Sequence, residues 1–156
     1  MSKPFFPEVT VAAVIENSGR FLLVEEETAD GVRINQPAGH LEAGESLLAA
    51  VAREVLEETA CTFEPRALVG VYLWRRAGAA DAPTFLRFTF CGTASGPIAG
   101  RALDDEILRT LWLSADELRA QAARHRSPLV MHCVDDYLRG RRAPLDVLHA
   151  HPDALT

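Results

Sequence analysis

The sequence predicts an α/β fold in which a mixed β-sheet has α-helices packed on it. Short β-branched apolar runs alternate along the chain with segments of helical periodicity, which is typical of this class. The chain has 156 residues, of which 48% are hydrophobic, and this is enough for a buried core. We therefore expect a single domain over residues 1–156, with its core at about 8–148, a C-terminal helix and a short tail.

Three strands are predicted before the first helix. Val9–Ile15 is a β-branched apolar run, typical of a strand that is buried on both faces. A turn at Glu16–Gly19 connects it to Arg20–Glu26, its expected hairpin partner. A second turn, at Thr28–Gly31, leads to a short strand over Val32–Gln36.

The segment Glu45–Ala60 has the strongest helical pattern in the sequence. Its apolar positions recur at the spacing of one helix face, and Ser46 can cap its start. This predicts an amphipathic helix that packs against the sheet. The apolar stripe consists of Leu48, Ala52, Val55 and Thr59.

Strands and helices continue to alternate in the second half of the chain. Ser114 and Glu117 can form a capping box, and Pro128 can begin a further helix that ends near Gly140. The tail after Pro144 is expected to be loosely held. The predicted elements are strands over Ala67–Trp74, Thr84–Cys91 and Leu108–Leu113, a loop over Thr93–Arg101 and a helix over Ser114–Ala122.

Composition excludes several classes of protein. The net charge of −6 disfavours nucleic acid as a partner, which requires a basic face, but cations could still bring in a phosphorylated substrate. No apolar run approaches the roughly 18 residues of a membrane helix, and the N-terminus lacks the pattern of a signal peptide. We therefore expect a cytoplasmic protein without a membrane anchor. Cys61, Cys91 and Cys133 form no CxxC motif and are predicted to be buried thiols.

Three glutamates on the predicted helix are the first indication of chemistry. Glu54, Glu57 and Glu58 share one edge of the helix, about 100° wide, beside the apolar stripe. Like charges at these spacings repel one another, whereas a group of carboxylate oxygens is what Mg²⁺ or Mn²⁺ prefers. By itself, the cluster fits either a metal site or a solvated acidic helix face.

The surrounding residues favour the metal site. Gly39, Glu45 and the segment Arg53–Glu58 match the pattern G-x5-E-x7-R-E-U-x-E-E, where U is an aliphatic residue. This is the Nudix box, and the chain therefore resembles the Nudix hydrolases, which cleave phosphoanhydride bonds with the help of divalent cations. The resemblance implies an α/β/α fold with the mixed sheet sandwiched between helices.

The resemblance also implies roles for the matched residues. Glu45 and Arg53 correspond to a pair that tethers the motif loop, Gly39–Glu45, to the helix. Arg53 lies four residues before Glu57 and can orient that carboxylate as well. The implied cofactor is Mg²⁺, with Mn²⁺ as a substitute. The positions that match the family's metal ligands are Gly39, through its backbone carbonyl, and Glu54, Glu57 and Glu58.

One position departs from the box. Ala60 stands where the family has a glycine, which commonly adopts a positive φ at a helix end. Alanine in that conformation would be strained by roughly 1 kcal/mol, unless the helix runs slightly further. Because the implied ligands all precede this position, we expect activity to be retained.

Similarity beyond the box extends to one branch of the family, the NudJ phosphatases. It lies in Val24–Glu26, Gln36–Glu42, Phe85–Phe88, Arg126–Val130 and Arg139–Leu145. This resemblance implies a small phosphorylated substrate and release of orthophosphate from nucleoside tri- and diphosphates and from thiamine-pathway pyrophosphates. A pyrophosphatase for ADP-sugars or dinucleoside polyphosphates is the nearest alternative, and a non-catalytic ligand sensor is a more distant one. Monomer and homodimer both stay open.

Several residues outside the helix are candidates for the site. The general base is either Glu54 or Glu106, which lies in an acidic turn. Arg87 can bind a phosphate or form a surface ion pair, and Trp74 can stack on a base or pack in the core. His40, in the motif loop, can reach a phosphate or make a structural hydrogen bond.

Overall fold

The computed structural model describes residues 4–78 and 80–156. Short 3₁₀ turns follow the second and third helices. None of the helices in this part of the chain is long and apolar enough to span a membrane. In chain order, the elements are β1 Glu8–Val14, β2 Glu16–Asn17, β3 Arg20–Thr28, β4 Gly31–Asn35, β5 Ala38–His40, α1 Leu47–Thr59, β6 Thr62–Arg75, β7 Thr84–Ser95, β8 Ile107–Ser114, α2 Ala115–Ala120 and α3 Leu129–Leu138.

The strands form two sheets, and Ile15 is the single residue between β1 of the first sheet and β2 of the second. The first sheet has the order β5-β1-β7-β6. It is mixed, because β1 and β7 are parallel whereas the other neighbours are antiparallel. In the second sheet β3 pairs with β2, β4 and β8, always antiparallel.

The prediction that β1 and β3 pair as a hairpin is wrong for most of their length. Only β2 pairs with the beginning of β3, next to a hydrogen bond of 2.9 Å from the Leu22 amide to the Ile15 carbonyl. The body of β1 instead lies between β5 and β7, so both of its edges are paired within the first sheet. This interior position agrees with the burial of its apolar residues on both faces.

Alternating residues of β1 face two different helical layers. Val11 and Ala13 pack with α1, whereas Val14 packs in the layer that contains α2 and α3. The same division continues on β7, where Phe90 faces the α1 layer and Cys91 the other. The sheets are therefore sandwiched between helices, as an α/β/α fold requires.

Helix α1 begins and ends with two well-defined caps. The Ser46 hydroxyl accepts a hydrogen bond of 3.1 Å from the Ala49 amide, which confirms the predicted N-cap. At the other end, Ala60 has φ = 59° and its amide donates to the Leu56 carbonyl. The helix does not run further, so the chain accepts a left-handed alanine at this position.

The two longest strands extend beyond their predicted limits. β6 and β7 pair from Thr62 with Ser95 to Arg75 with Thr84, with two irregularities in register. The apolar pattern marks only the buried central part of each strand, whereas the backbone ladder continues into exposed polar residues. The predicted loop consequently begins after Ser95 and not at Thr93.

The tail after Pro144 is held more firmly than predicted as far as Leu148, whereas residues 149–156 are exposed. Ala143 and Leu68 exchange two backbone hydrogen bonds of 2.9 and 2.8 Å, which attach this segment to β6. Leu145 and Leu148 then pack against the α1 layer of the core. Two leucines three residues apart are therefore enough to bring the tail back onto the domain.

Candidate active site

A cavity of about 470 Å³ opens beside α1, between the β3–β4 hairpin and the loop before β8. Charged side chains dominate its wall, with carboxylates and arginines both present. All the residues that the sequence nominated for the site line it, although they come from five different parts of the chain. They are Gly39, His40, Arg53, Glu54, Glu57, Glu58, Trp74, Arg87 and Glu106.

Two of the three α1 glutamates are buried. Glu54 and Glu58 are 8% and 7% exposed, and they lie on the buried side of the helix with Val51 and Val55. The prediction that the carboxylates lie beside the buried stripe is therefore wrong for these two. The reason is the motif loop, which covers this edge of the helix, and the Glu58 carboxylate accepts a hydrogen bond of 2.9 Å from the Ala38 amide. A solvated acidic face does not describe this arrangement.

Arg53 connects the motif loop to the helix through a dense set of contacts. Its guanidinium donates to both Glu45 oxygens, at 2.7 and 3.0 Å, and to the His40 carbonyl at 3.0 Å. It also donates to Glu54 at 2.8 Å and to Glu57 at 3.1 Å. The contacts predicted for Arg53 are thus present, and they fix the positions of two carboxylates at once.

Gly39 lies directly against the Glu54 carboxylate. A Cβ atom placed on Gly39 would be 2.1 Å from the Glu54 carboxyl carbon, which is far inside van der Waals contact. The lack of a side chain at Gly39 is therefore what admits the carboxylate to its place beside β5. This steric requirement explains a glycine here without any need for a positive φ, which Gly39 does not have.

Burial and crowding raise the pKa of several carboxyl groups in the cavity wall. Burial raises the pKa of Glu58 to about 9, helped by the nearby charges of Glu26, Glu54 and Asp104. Burial also raises the pKa of Glu54, although Arg53 opposes this effect. The pKa of Glu26 is raised as well, again because the group is buried. Negative charge is consequently costly here unless a cation or a proton accompanies it.

A divalent cation fits the chemistry of this wall. Carboxylate and backbone carbonyl oxygens are the ligands that Mg²⁺ and Mn²⁺ prefer, and a cation would relieve the repulsion between the buried carboxylates. Within residues 4–78 and 80–156, no three Asp, Glu, His or Cys side chains already converge into a complete ligand group. In this structure Arg53 holds the Glu54 and Glu57 carboxylates by hydrogen bonds.

Arg87 lies in the cavity wall and not on the surface. It is 6% exposed, and it donates to Asn35 at 2.9 Å and to Gln36 at 3.3 Å. The alternative of a surface ion pair is therefore wrong. Phe85 and Arg87 both line the cavity, so the predicted strand alternation is correct.

Trp74 and His40 lie near the aromatic Phe85. The Trp74 ring stacks on Phe85 with a centroid distance of 5.8 Å and an interplanar angle of 17°, and it still borders the cavity. The His40 ring is exposed, and its Nε2 atom lies 2.7 Å from a carboxylate oxygen of Glu8. His40 thus makes the structural hydrogen bond that was one of its two predicted alternatives.

The acidic turn before β8 is anchored to both sides of the cavity. The Asp104 amide donates to the Glu57 carbonyl at 3.0 Å, and the Glu106 carbonyl accepts from the Glu27 amide at 2.9 Å. These two backbone bonds attach the turn to α1 and to β3. Asp104 and Glu106 therefore line the cavity together with the helix glutamates.

Sequence reasoning missed several residues of the cavity wall. Glu26 follows the apolar part of β3 and turns into the cavity, whereas its neighbour Glu25 pairs with arginines on the other face. Strand alternation could have separated these two carboxylates, but not which face carries the cavity. Asn35 and Gln36 hold Arg87, and nothing in their spacing indicates this. The missed lining residues include Thr10, Glu26, Asp30, Arg33, Asn35, Arg76 and Arg126.

Comparison with known proteins agrees with this geometry. A model of the NUDIX domain matches residues 6–133. Phosphatase NudJ of Escherichia coli (strain K12) is 40% identical over 144 residues, which cover 92% of each chain.

Solved structures of other proteins have the same fold as this chain. A NUDIX hydrolase from Nitrosomonas europaea superposes with a TM-score of 0.90 at 50% identity, over 94% of this chain and 99% of that chain. A MutT NUDIX hydrolase from Burkholderia pseudomallei shares the fold at 22% identity, with a TM-score of 0.70 over 85% of this chain and 98% of that one. The family match, the curated relative and the site geometry agree, and the chain belongs to the Nudix hydrolases.

Proposed function

We propose that this Nudix hydrolase is a Mg²⁺-dependent phosphatase. Its substrates would be nucleoside tri- and diphosphates and thiamine-pathway pyrophosphates, with orthophosphate as a product. The observation that carries the proposal is the wall of buried glutamates on α1, held by Arg53 and Gly39 at the edge of a cavity that also contains arginines. The identity of 40% to Phosphatase NudJ supports the phosphatase branch. We further propose that residues 1–156 act as one domain in the cytoplasm, as a monomer or a homodimer.

The residues that would hold Mg²⁺, or Mn²⁺ in its place, are Gly39, Glu54, Glu57 and Glu58. When bound, such a cation neutralises phosphate charge and lowers the pKa of water. The chain supplies the positions of these groups. Arg53 orients Glu54 and Glu57, and the Ala38 amide holds Glu58. These hydrogen bonds are supplied by the fold itself, before any ligand binds.

The general base, which removes a proton from the attacking water, has two candidates. Glu54 is buried and already accepts a hydrogen bond from Arg53. We therefore assign it to metal binding and not to proton transfer. Glu106 is exposed on the anchored turn and borders the same cavity. We favour Glu106. Its replacement by glutamine should lower turnover strongly with intact folding, whereas near-normal turnover would leave the role to Glu54.

The remaining nominated residues are proposed to contact the substrate. Arg87 uses part of its guanidinium on Asn35 and Gln36, so its remaining N–H groups can donate to a phosphate. The stacked rings of Trp74 and Phe85 provide a flat apolar surface for a heteroaromatic ring. His40 lies at the rim, where it can reach a phosphate once its contact with Glu8 opens.

The test of this function is a hydrolysis panel with identified products. It contains a nucleoside di- and triphosphate, thiamine pyrophosphate, hydroxymethylpyrimidine pyrophosphate, ADP-ribose and a diadenosine polyphosphate, each with Mg²⁺ and with EDTA. We expect orthophosphate from the first four, and only with Mg²⁺. Activity confined to the last two would replace the phosphatase by a Nudix pyrophosphatase. No turnover of any compound would favour the ligand sensor.

A further inference from the structure

The arginines of the cavity differ in how much of their hydrogen-bonding capacity the protein itself uses. Arg53 donates to three carboxylates and a carbonyl, and Arg87 donates to two buried amide side chains. Arg76 forms an ion pair with Asp30 at the cavity rim. These three guanidinium groups are engaged by the protein before a substrate binds.

Arg33, another arginine of the cavity, differs from these three. It is partly buried on β4 and lines the cavity, yet among the described residues the only hydrogen bond of its guanidinium goes to the adjacent Val32 carbonyl, at 3.3 Å. Within the described residues, no carboxylate oxygen lies within 4 Å of its guanidinium. A guanidinium carries five N–H donors, so most of its capacity is free at the cavity.

The register of the second sheet places Arg33 beside a carboxylate that does not use it. Arg33 is the cross-strand partner of Glu26, and side chains in such a pair lie on the same face. The Glu26 carboxylate instead faces Arg126, whose Nε atom is 3.4 Å away. Arg126 thus supplies the positive charge next to Glu26, and the Arg33 guanidinium remains available at the cavity that the α1 glutamates also line.

We propose that Arg33 binds a phosphate of the substrate other than the one that is hydrolysed. This inference rests on the proposed function and adds a specificity-determining residue to it. An arginine fork binds a phosphate through two parallel hydrogen bonds. A substrate with two linked phosphates can place one at the α1 glutamates and the other at Arg33, whereas a monophosphate has only one phosphate to place. Arg33 therefore selects substrates with at least two linked phosphates over monophosphate esters.

The test compares Arg33→Gln and Arg33→Lys with wild type on a matched nucleoside tri-, di- and monophosphate. For Arg33→Gln we expect KM to rise about ten-fold for the tri- and diphosphate, with kcat changed less than about two-fold, because a charge-assisted bond made equally in ground and transition states is lost. The KM of Arg33→Lys should lie between those of wild type and Arg33→Gln. The monophosphate, whether bound or slowly cleaved, should be unaffected. Arg66→Gln, an exposed arginine paired with Glu64, is the control that should change nothing.

A binding measurement separates this proposal from the proposed function. Calorimetric titration of inorganic triphosphate, pyrophosphate and orthophosphate with Mg²⁺ needs no turnover. Weaker binding of the two longer anions to Arg33→Gln, with orthophosphate unchanged, supports the role of Arg33 even if the hydrolysis panel fails. Equal binding of all three anions to variant and wild type, or an equal loss for all three, would overturn it.

Discussion

At the scale of single residues, the Glu54 carboxylate occupies the space that a side chain on Gly39 would need. The backbone at Gly39 is ordinary, and only the place of its missing Cβ is special, because the Glu54 carboxylate fills it. The box motif identified both residues as candidates. It could not show that Gly39 must lack a side chain because the Glu54 carboxylate occupies that space. Ala60 is the opposite case, since its backbone is unusual and its side chain is tolerated.

Gly39→Ala should lower turnover strongly while lowering stability only slightly. The added methyl group must displace the Glu54 carboxylate, which is the end of a flexible side chain. The free energy of unfolding should therefore fall by less than about 1 kcal/mol. Turnover should fall by at least about ten-fold, because Glu54 leaves its place beside Arg53. Enzyme kinetics and thermal unfolding measure the two effects.

Gly70→Ala is the matched control for that substitution. A Cβ on Gly70 would lie 2.6 Å from the Tyr72 hydroxyl oxygen and 2.7 Å from the nearest ring carbon, away from the cavity. This variant should lose more stability than Gly39→Ala and keep its turnover per folded molecule. If Gly39→Ala keeps full activity, the contact with Glu54 has no role in the site.

Ala60→Gly should stabilise the protein. Ala60 has φ = 59°, and relief of this strain contributes up to about 1 kcal/mol, partly offset by the greater freedom of glycine in the unfolded chain. Ala52→Gly, the same change inside the helix, should cost about 1 kcal/mol. Urea unfolding of both variants checks this, and destabilisation of Ala60→Gly would show that the Cβ contributes more than the strain costs.

At the scale of elements, apolar patterns located the strands and helices but not their neighbours. The run in β1 indicated burial on both faces, yet its partners β5 and β7 are set by pairings far along the chain. Helix α1 shows the same limit, because the loop at β5 covers its glutamate edge and converts polar positions into buried ones. Periodicity describes one element at a time, whereas burial depends on what packs against it.

An ion-pair cluster on the far face of β3 connects that strand to β8 and to the turn after α2. The buried Glu25 accepts a hydrogen bond of 2.6 Å from Arg109 and another from Arg124. The bond from Arg109 makes the largest contribution, and together they lower the pKa of Glu25 from its ordinary value of 4.5 to about 2. Because the pKa is depressed in the folded state, the stabilisation is complete above about pH 4.5 and is lost as the pH falls towards 2.

Glu25→Gln should therefore destabilise the protein in a pH-dependent way. At pH 7 the loss should be about 1 kcal/mol, since the two arginines are half-exposed and solvent screens the pair. The difference from wild type should shrink as the pH approaches 3. Chemical unfolding at several pH values measures it, with Glu27→Gln, an exposed glutamate on the same strand, as the control. A loss that does not depend on pH would exclude the ion pairs as its cause.

At the scale of the whole molecule, the site exists only because two sheets and a helix meet. The box motif predicted the glutamates, Gly39 and Arg53, all within one stretch of the chain, and the structure brings them together. Glu26, Arg33 and Arg126 come from distant elements, and no local spacing relates them to the box. The fold class followed from alternating elements, whereas the division into two sheets depended on long-range pairing.

The most direct test of the account is orthophosphate release from a nucleoside diphosphate as Mg²⁺ is titrated, for wild type and Glu57→Gln. Glu57 is the most exposed of the three α1 glutamates, so its neutral variant should fold normally. We predict saturable activation of the wild type by Mg²⁺ and a loss of about two orders of magnitude or more in the variant, with unchanged thermal unfolding. Glu64→Gln, an exposed glutamate outside the cavity, should behave as the wild type. Equal release by Glu57→Gln and wild type across the titration would contradict the assignment of catalysis to the α1 carboxylates.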